Sequence, residues 1–264
     1  MNDIDVASSD IAIQSRHLTV TYGERPVLWN IDIAIPRKGI TGIIGPNGAG
    51  KSTLIKAMLG IVPIASGTVA MCDRNGRTLS GDAIGYVPQR STVDWDFPTS
   101  VFDVVMMGTY GKLRWFQRPG KSERVATQRA LEFVEMQDFA TRQISELSGG
   151  QQQRVFLARA FVQKPSIYLM DEPFAGVDTK TERSLLEIFR KLRDDGSTVV
   201  MVHHDLLRAH DYFDHVILLN RRLIAQGPTK RTLTESNVET CYGVSHHMLT
   251  TSVDVDRDFH TAAV

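Results

Sequence analysis

A chain of 264 residues with 42% hydrophobic content is long enough for one large α/β domain or two small ones around a sizeable core. Its 30 basic and 30 acidic residues balance, so no global field argues for nucleic acid and partners must be read locally. Cys72 and Cys241 show no metal-type or redox-type spacing and are too sparse for a disulfide framework, which fits a reducing cytosol. Met1 to Asp10 is acidic and polar, unlike a secretory signal, and no apolar stretch approaches the roughly 18 residues of a membrane span, so the chain is not expected to enter a bilayer by itself.

Rough polar–apolar alternation over Ile11 to Tyr22 and Val27 to Ile35 predicts half-buried, antiparallel strands around the turn Gly23-Glu24-Arg25-Pro26. Tyr22 closes the first of them, where an aromatic ordinarily packs but could also stack on a base. The apolar run Ile40 to Ile44 predicts a buried strand, and Ser52 to Leu59 a helix. Between them, Gly45-Pro46-Asn47-Gly48-Ala49-Gly50-Lys51-Ser52-Thr53 matches the phosphate-binding P-loop pattern in Gly45, Gly50, Lys51 and Ser52. Glycines let the backbone turn tightly and bring successive N–H groups and the helix N-terminus to the phosphate oxygens. Lys51 adds a point charge for the β and γ phosphates, and the Ser52 hydroxyl can ligate Mg²⁺.

Gly67 to Cys72 and Ala83 to Val87 read as further strands, which places Gln89 at a strand end, where ligand-contacting groups of open α/β sheets collect. From Arg90 to about Ile144 helical periodicity over Val101 to Met107 and Glu123 to Met136 replaces strands, and this segment reads as a helical insertion. Within it Lys112, Arg114, Arg118, Lys121, Arg124 and Arg129 face one acidic residue, Glu123, with Trp115 and Phe116 among them. Such a stretch can meet RNA or lipid headgroups, but a solvated face is the ordinary reading. Trp95, Phe97 and Phe102 can likewise be simple core aromatics.

Leu147-Ser148-Gly149-Gly150-Gln151 runs into a helical pattern ending near Val162. Small residues there expose N–H groups and a positive dipole end, offering a second anion site, with a capped helix and no ligand as the alternative. Ser166 to Met170 reads as a short apolar strand ending in Asp171-Glu172-Pro173, and carboxylates so placed beside a P-loop can hold Mg²⁺ and polarise water. A helix over Thr179 to Asp194 leads to the strand Thr198 to Val202 and then His203-His204-Asp205. Continued strand geometry would turn the adjacent histidines to opposite faces, leaving one to meet a phosphate. Strands near Val216 to Leu219 and Arg222 to Gln226 precede a polar tail. Its Asp254, Asp256 and Asp258 mimic the start of a calcium loop, but Phe259 stands where that loop needs Gly, so no such site is expected, and His246, His247 and His260 read as part of a flexible tail.

Five pieces in this order, the P-loop, Gln89, Leu147 to Gln151, Asp171-Glu172 and His204 before Asp205, resemble the ATP-binding cassette ATPases from about Ile11 to Gly227. Leu-Ser-Gly-Gly-Gln is that family's own signature. The resemblance implies an α/β P-loop NTPase with a mixed-sheet core, an antiparallel β subdomain and a helical insertion at about 90–160, in a single ATPase domain over 11–235 followed by a tail over 236–264. It implies that Tyr22 stacks on adenine, that Lys51 and the loop amides bind the phosphates of ATP, and that Ser52, Gln89 and Asp171 contact Mg²⁺. Glu172 would be the general base on water and His204 the switch residue at the γ phosphate. Ser148 and Gly150, in the run Ser148-Gly149-Gly150-Gln151, would complete the ATP site of the opposite subunit, so hydrolysis needs a homodimer. Gly176-Val177-Asp178 departs from the commoner Ala-Leu-Asp wording but keeps Asp178 for the dimer seam.

Outside these motifs, Val93-Asp94-Trp95-Asp96-Phe97-Pro98, Val104 to Gly108, Phe174 to Asp178 and Val202 to Leu206 resemble the ATPase subunits of bacterial importers for manganese, zinc and chelated iron. That implies a multi-span permease partner docking on the segment after Gln89, a periplasmic or lipid-anchored metal-binding protein acting indirectly, no nucleic acid, and a place on the cytoplasmic face of the inner membrane. The alternatives within the family are a soluble cassette of DNA repair or translation and a transporter ATPase for another substrate. A P-loop kinase or GTPase would share the loop but has no need of the signature.

Overall fold

The structure, a computed structural model, describes residues 10–243 apart from Glu24, Arg74, Gly81, Asp82, Asp94, Asp96, Arg114, Trp115 and the side chain of Lys112. The expectations for His246, His247, Asp254, Asp256, Asp258, Phe259 and His260 therefore lie outside the described residues. In chain order the elements are β1 (Ile11–Tyr22), β2 (Arg25–Pro36), β3 (Ile40–Ile44), α1 (Lys51–Met58), β4 (Ser66–Met71), β5 (Gly85–Val87), α2 (Val101–Met107), α3 (Lys121–Phe133) and α4 (Gly149–Phe161). There follow β6 (Ile167–Met170), α5 (Thr179–Asp194), β7 (Thr198–His203), α6 (Ala209–Tyr212), β8 (His215–Asn220), β9 (Arg222–Pro228), α7 (Thr229–Thr232) and α8 (Glu235–Tyr242). The described chain forms two units, one from residues 10–12, 36–40 and 70–201, the other from 13–35, 41–69 and 202–243.

In the first unit β5, β6 and β7 run parallel, with Gly85 opposite Tyr168 and Ile167 opposite Thr198. All four residues of β6 are buried, the pattern of a strand covered on both faces. The expected insertion is helical: α2, α3 and α4 pack on one another, and no extended strand lies among the described residues from 90 to 144. Each helix has a local reason to start. Ser100 caps α2 by accepting from the Asp103 N–H at 3.1 Å, and the Glu123 carboxylate reaches back to the Gly120 N–H at 2.7 Å at the head of α3. Trp95 packs its ring 4.8 Å from Phe156, whereas Phe97 is 56% exposed and so is not a core aromatic. Arg118, Lys121, Arg124 and Arg129 are all exposed, the solvated face that a charge run ordinarily makes.

In the second unit β3 pairs parallel with β8, and β9 returns antiparallel. A second sheet has the order β2-β1-β4. The two-residue connection at Gly23 permits only antiparallel pairing of β1 with β2, and the bonds Ala65 N–H to Thr19 carbonyl and Cys72 N–H to Ala12 carbonyl set β4 antiparallel to β1. Alternation breaks once on each strand of the hairpin. His17 and Asn30 take positive φ of 50° and 51°, the His17 N–H donates to Asp32 Oδ1 at 2.7 Å, and His17 Nδ1 meets Asn30 Oδ1 at 3.0 Å. This paired kink shifts the inward-facing register, so that Ile13 and Ser15 are followed inward by Leu18 and Val20. Beyond β9 the packed structure continues through α8, which buries Val238 and Cys241.

Two stability effects follow. Phe189 of α5 is fully buried with its ring 5.7 Å from that of Phe174. Phe189→Ala should cost about 3–5 kcal/mol in urea unfolding. His203 is buried, and burial first, then the neighbouring His204, depresses its pKa from 6.5 to about 4. The unfolded chain then binds the extra proton between those values, so this stability is fully present above pH 6.5 and is lost as pH falls toward 4. His203→Gln should therefore flatten the fall in unfolding free energy between pH 7 and pH 5 by about 1–2 kcal/mol, and an unchanged slope would contradict the assignment.

Candidate active site

The loop of Gly45 to Thr53 leaves the fully buried β3 and enters α1. A Cβ on Gly45 would stand 1.9 Å from the Leu219 carbonyl oxygen, so the end of β8 seats the loop against a residue that must be glycine. Ala49 closes the loop from inside, its N–H donating to the Pro46 carbonyl at 3.2 Å while its own carbonyl accepts from the Arg221 N–H at 2.9 Å. Gly48 and Gly50 take φ of 77° and 94°, which side chains resist. Asn47 and Gly48 are exposed at the tip. Gly50 caps α1 without a side chain, so the first-turn N–H groups of the helix are left for an anion. Lys51 is only 6% exposed, and its Nζ donates to the Gly45 and Pro46 carbonyls at 2.8 and 2.9 Å, which holds the charge inside the curve of the loop. Ser52 and Thr53 follow on the first turn, half-buried.

A carboxylate cluster occupies the C-terminal ends of β5 and β6. Asp171 is 2% exposed, and its N–H extends the ladder to the Val87 carbonyl at 2.9 Å. Its charge, after burial, helps to raise the pKa of Tyr86. Glu172 then turns out of the strand with φ of 52°, a left-handed conformation that costs a residue with a Cβ about 1 kcal/mol. The turn presents its Oε2 to Gln89 Nε2 at 2.9 Å. Gln89, Asp171 and Glu172 thus form one cluster of oxygen and amide groups.

Around the start of α4 lies a cavity of about 800 Å³, lined by Ser148, Gly149, Gly150, Gln151, Gly176, Val177 and Asp178 among others. Ser148 and Gln151 cap each other: the Ser148 N–H donates to Gln151 Oε1 at 2.9 Å, and the Gln151 N–H to Ser148 Oγ at 3.4 Å. Asp178 caps α5 through the Lys180 and Thr181 N–H groups, each 2.9 Å from Oδ1, and the Thr181 hydroxyl at 2.7 Å. Those bonds, led by Thr181, hold its carboxyl below the usual carboxylate range. The capped helix of the two readings is what the structure displays, and the cap uses the Ser148 and Gln151 groups while the Gly149 and Gly150 N–H groups stay at the head of the helix.

Two further expected residues are Tyr22 and His204. Tyr22 ends β1 with 53% of its surface exposed, so a face is open for stacking. β7 runs one residue further than expected and stops at His203, so alternation does not extend to His204. The two rings lie 5.6 Å apart, and what separates them is depth: His203 is buried, His204 exposed. Among the described residues no three His, Cys, Asp or Glu side chains are placed to hold a metal together.

The sequence reading passed over two contacts. Asn220 Nδ2 donates to the Cys241 carbonyl at 2.8 Å and the Cys241 thiol faces the Leu219 carbonyl at 3.6 Å, so α8 braces the strand end on which Gly45 rests. Burial pushes that thiol up to about 11. Arg90, next to Gln89, reaches across to α4, and no spacing or motif in the sequence announces it.

Comparison with known proteins agrees with this geometry. Residues 28–175 match the family model described as ABC transporter. The chain is 52% identical over 241 residues to the zinc transport system ATP-binding protein TroB of Treponema pallidum (strain Nichols), covering 90% of each. It is 52% identical over 231 residues to the manganese transport system ATP-binding protein MntB of Bacillus subtilis (strain 168), covering 88% of this chain and 92% of that one. Among solved structures, a metal-chelate type ABC transporter in an inward-facing conformation matches with a TM-score of 0.80 at 26% identity, over 89% of this chain and 90% of that one. A dimeric bacterial ABC transporter cassette matches at 0.71 and 29% identity, over 82% and 98%. With the loop, the carboxylate pair and the capped signature helix in place, the chain belongs to the ABC transporter family, as an ATP-binding subunit that hydrolyses ATP.

Proposed function

We propose that two copies of this chain close on ATP and that hydrolysis reopens them, driving a membrane permease that imports a divalent transition metal. The observation that carries the hydrolytic part is Glu172, held in a strained backbone conformation with its carboxylate on Gln89 at 2.9 Å beside the buried Asp171. In this reading Tyr22 stacks on adenine, the amides of Gly45 to Thr53 and Lys51 bind the phosphates, and Glu172 takes the proton of the attacking water. His204 donates to the γ phosphate from its exposed position. Ser148, Gly149, Gly150 and Gln151 meet the nucleotide of the opposite copy, with Asp178 at the seam. The solved dimer of a related cassette supports the two-copy arrangement.

Ser52, Gln89 and Asp171 offer only oxygen donors, the set a hard cation prefers, and so fit Mg²⁺. Bound there, Mg²⁺ would neutralise charge on the β and γ phosphates. Lys51 would move from the loop carbonyls to the phosphates, Gln89 would orient the water it shares with Glu172, and the loop amides would hold charge developing on the γ phosphate.

The metal cargo rests on the relatives, named for zinc and manganese transport at 52% identity each. A chelated metal as cargo draws its support from the transporter of metal-chelate type. No helix among the described residues is long and apolar enough to cross a membrane, which suits a subunit seated on the cytoplasmic face beneath a separate permease. A metal-binding protein outside the membrane would deliver the cargo to that permease.

Glu172→Gln keeps an oxygen to accept from Gln89 but removes the base. It should lower kcat at least about 100-fold while ATP still binds, and light scattering should show an ATP-trapped dimer. Hydrolysis at the parent rate, or a strictly monomeric mutant in ATP, would overturn the mechanism. For the cargo, a strain lacking the gene should recover growth on added manganese or zinc, and recovery with neither would exclude this reading of the substrate.

A further inference from the structure

The half-buried Arg90 carries a charge but is held by a neutral partner. Its Nε and Nη2 donate to Gln152 Oε1 at 3.2 and 2.9 Å, and Gln152 Nε2 in turn donates to the Ile144 carbonyl at 3.1 Å. The fork therefore spans from the loop after β5 to the first turns of α4. The same loop is pinned a second time: the Trp95 indole N–H donates to the Arg90 carbonyl at 2.9 Å, and its ring lies 5.9 Å from the guanidinium and 4.8 Å from Phe156 of α4.

Gly149 shows why the contact matters. It sits at the first position of α4 with no positive φ, so backbone conformation does not demand glycine. What a Cβ there would meet is the guanidinium itself, at 3.0 Å from Cζ and 3.2 and 3.3 Å from its two terminal nitrogens. The glycine leaves room for Arg90 to lie flat on the helix start.

We propose that Arg90 is a positioning residue that locks the loop bearing Gln89 to the head of the Ser148 helix, so that the placement of Gln89 depends on that helix. A lysine cannot replace it, because a point charge cannot span two donors onto one amide oxygen while stacking on Gly149. The inference rests on the roles proposed above for Gln89 and Ser148.

The test is steady-state ATP hydrolysis by the full chain across ATP concentrations. Arg90→Ala and Gln152→Ala should each lower kcat about tenfold with KM for ATP within about twofold, and the double variant should be no worse than the poorer single one. Arg90→Lys should fail to rescue, and it serves in place of Arg90→Ala should the alanine variant not fold. Parent-level kcat in the Arg90 variants, or losses that multiply in the double variant, would overturn the proposal. Gln89→Ala and Ser148→Ala separate the two levels. If both abolish hydrolysis while Arg90→Ala does not, the lock alone is wrong, and if both are silent, the underlying assignment falls with it.

Discussion

Burying charge is expensive unless the protein supplies polar partners, and among the described residues Lys51 at the start of α1 is 6% exposed and Asp171 at the end of β6 is 2% exposed. Lys51 is held by two carbonyls of its own loop, which is possible only because Gly48 and Gly50 let the backbone curl back on itself. Glu172, next to Asp171, leaves β6 in a left-handed turn and gains Gln89 as its partner. Of the two arrangements, the one at Glu172 also carries the strain of a left-handed backbone at a residue with a Cβ. Lys51 and Glu172 are both residues that the proposed mechanism uses.

Support for these groups comes from beneath. The Leu219 carbonyl presses on Gly45, Arg221 bonds Ala49, and Asn220 ties the same strand end to α8. Three consecutive residues with no chemistry of their own thus set the position of the loop. In the other unit Trp95 and Gln152 hold the loop of Gln89 through Arg90. Side chains that act on a ligand must be held to within a fraction of an ångström, and packing and hydrogen bonds behind them provide that.

Much was legible from residue order because local rules governed it. β1 and β3 and the helix over Thr179–Asp194 follow period and caps within a residue or so, since Asp178 and the apolar stripe of α5 act over a few positions. The hairpin register was not legible: the kink at His17 and Asn30 needs both strands at once, and neither residue type demands positive φ alone. Whether Trp95 and Phe97 face the core was left open by the sequence, because neighbouring aromatics have the same local pattern whether they face in or out; Phe97 is exposed and Trp95 packs on Phe156.

The sequence by itself determined the chemistry: the glycine loop, Lys51, the paired carboxylates and the Leu147 to Gln151 run are contiguous, and contiguity is what short-range backbone rules can read. Tertiary structure alone decided that Gln89 bonds Glu172, that Arg90 lies on Gly149, and that Gly45 is a glycine because of Leu219. Those partners are 83, 59 and 174 positions apart along the chain, and only the packing of strands and helices brings them within a few ångströms.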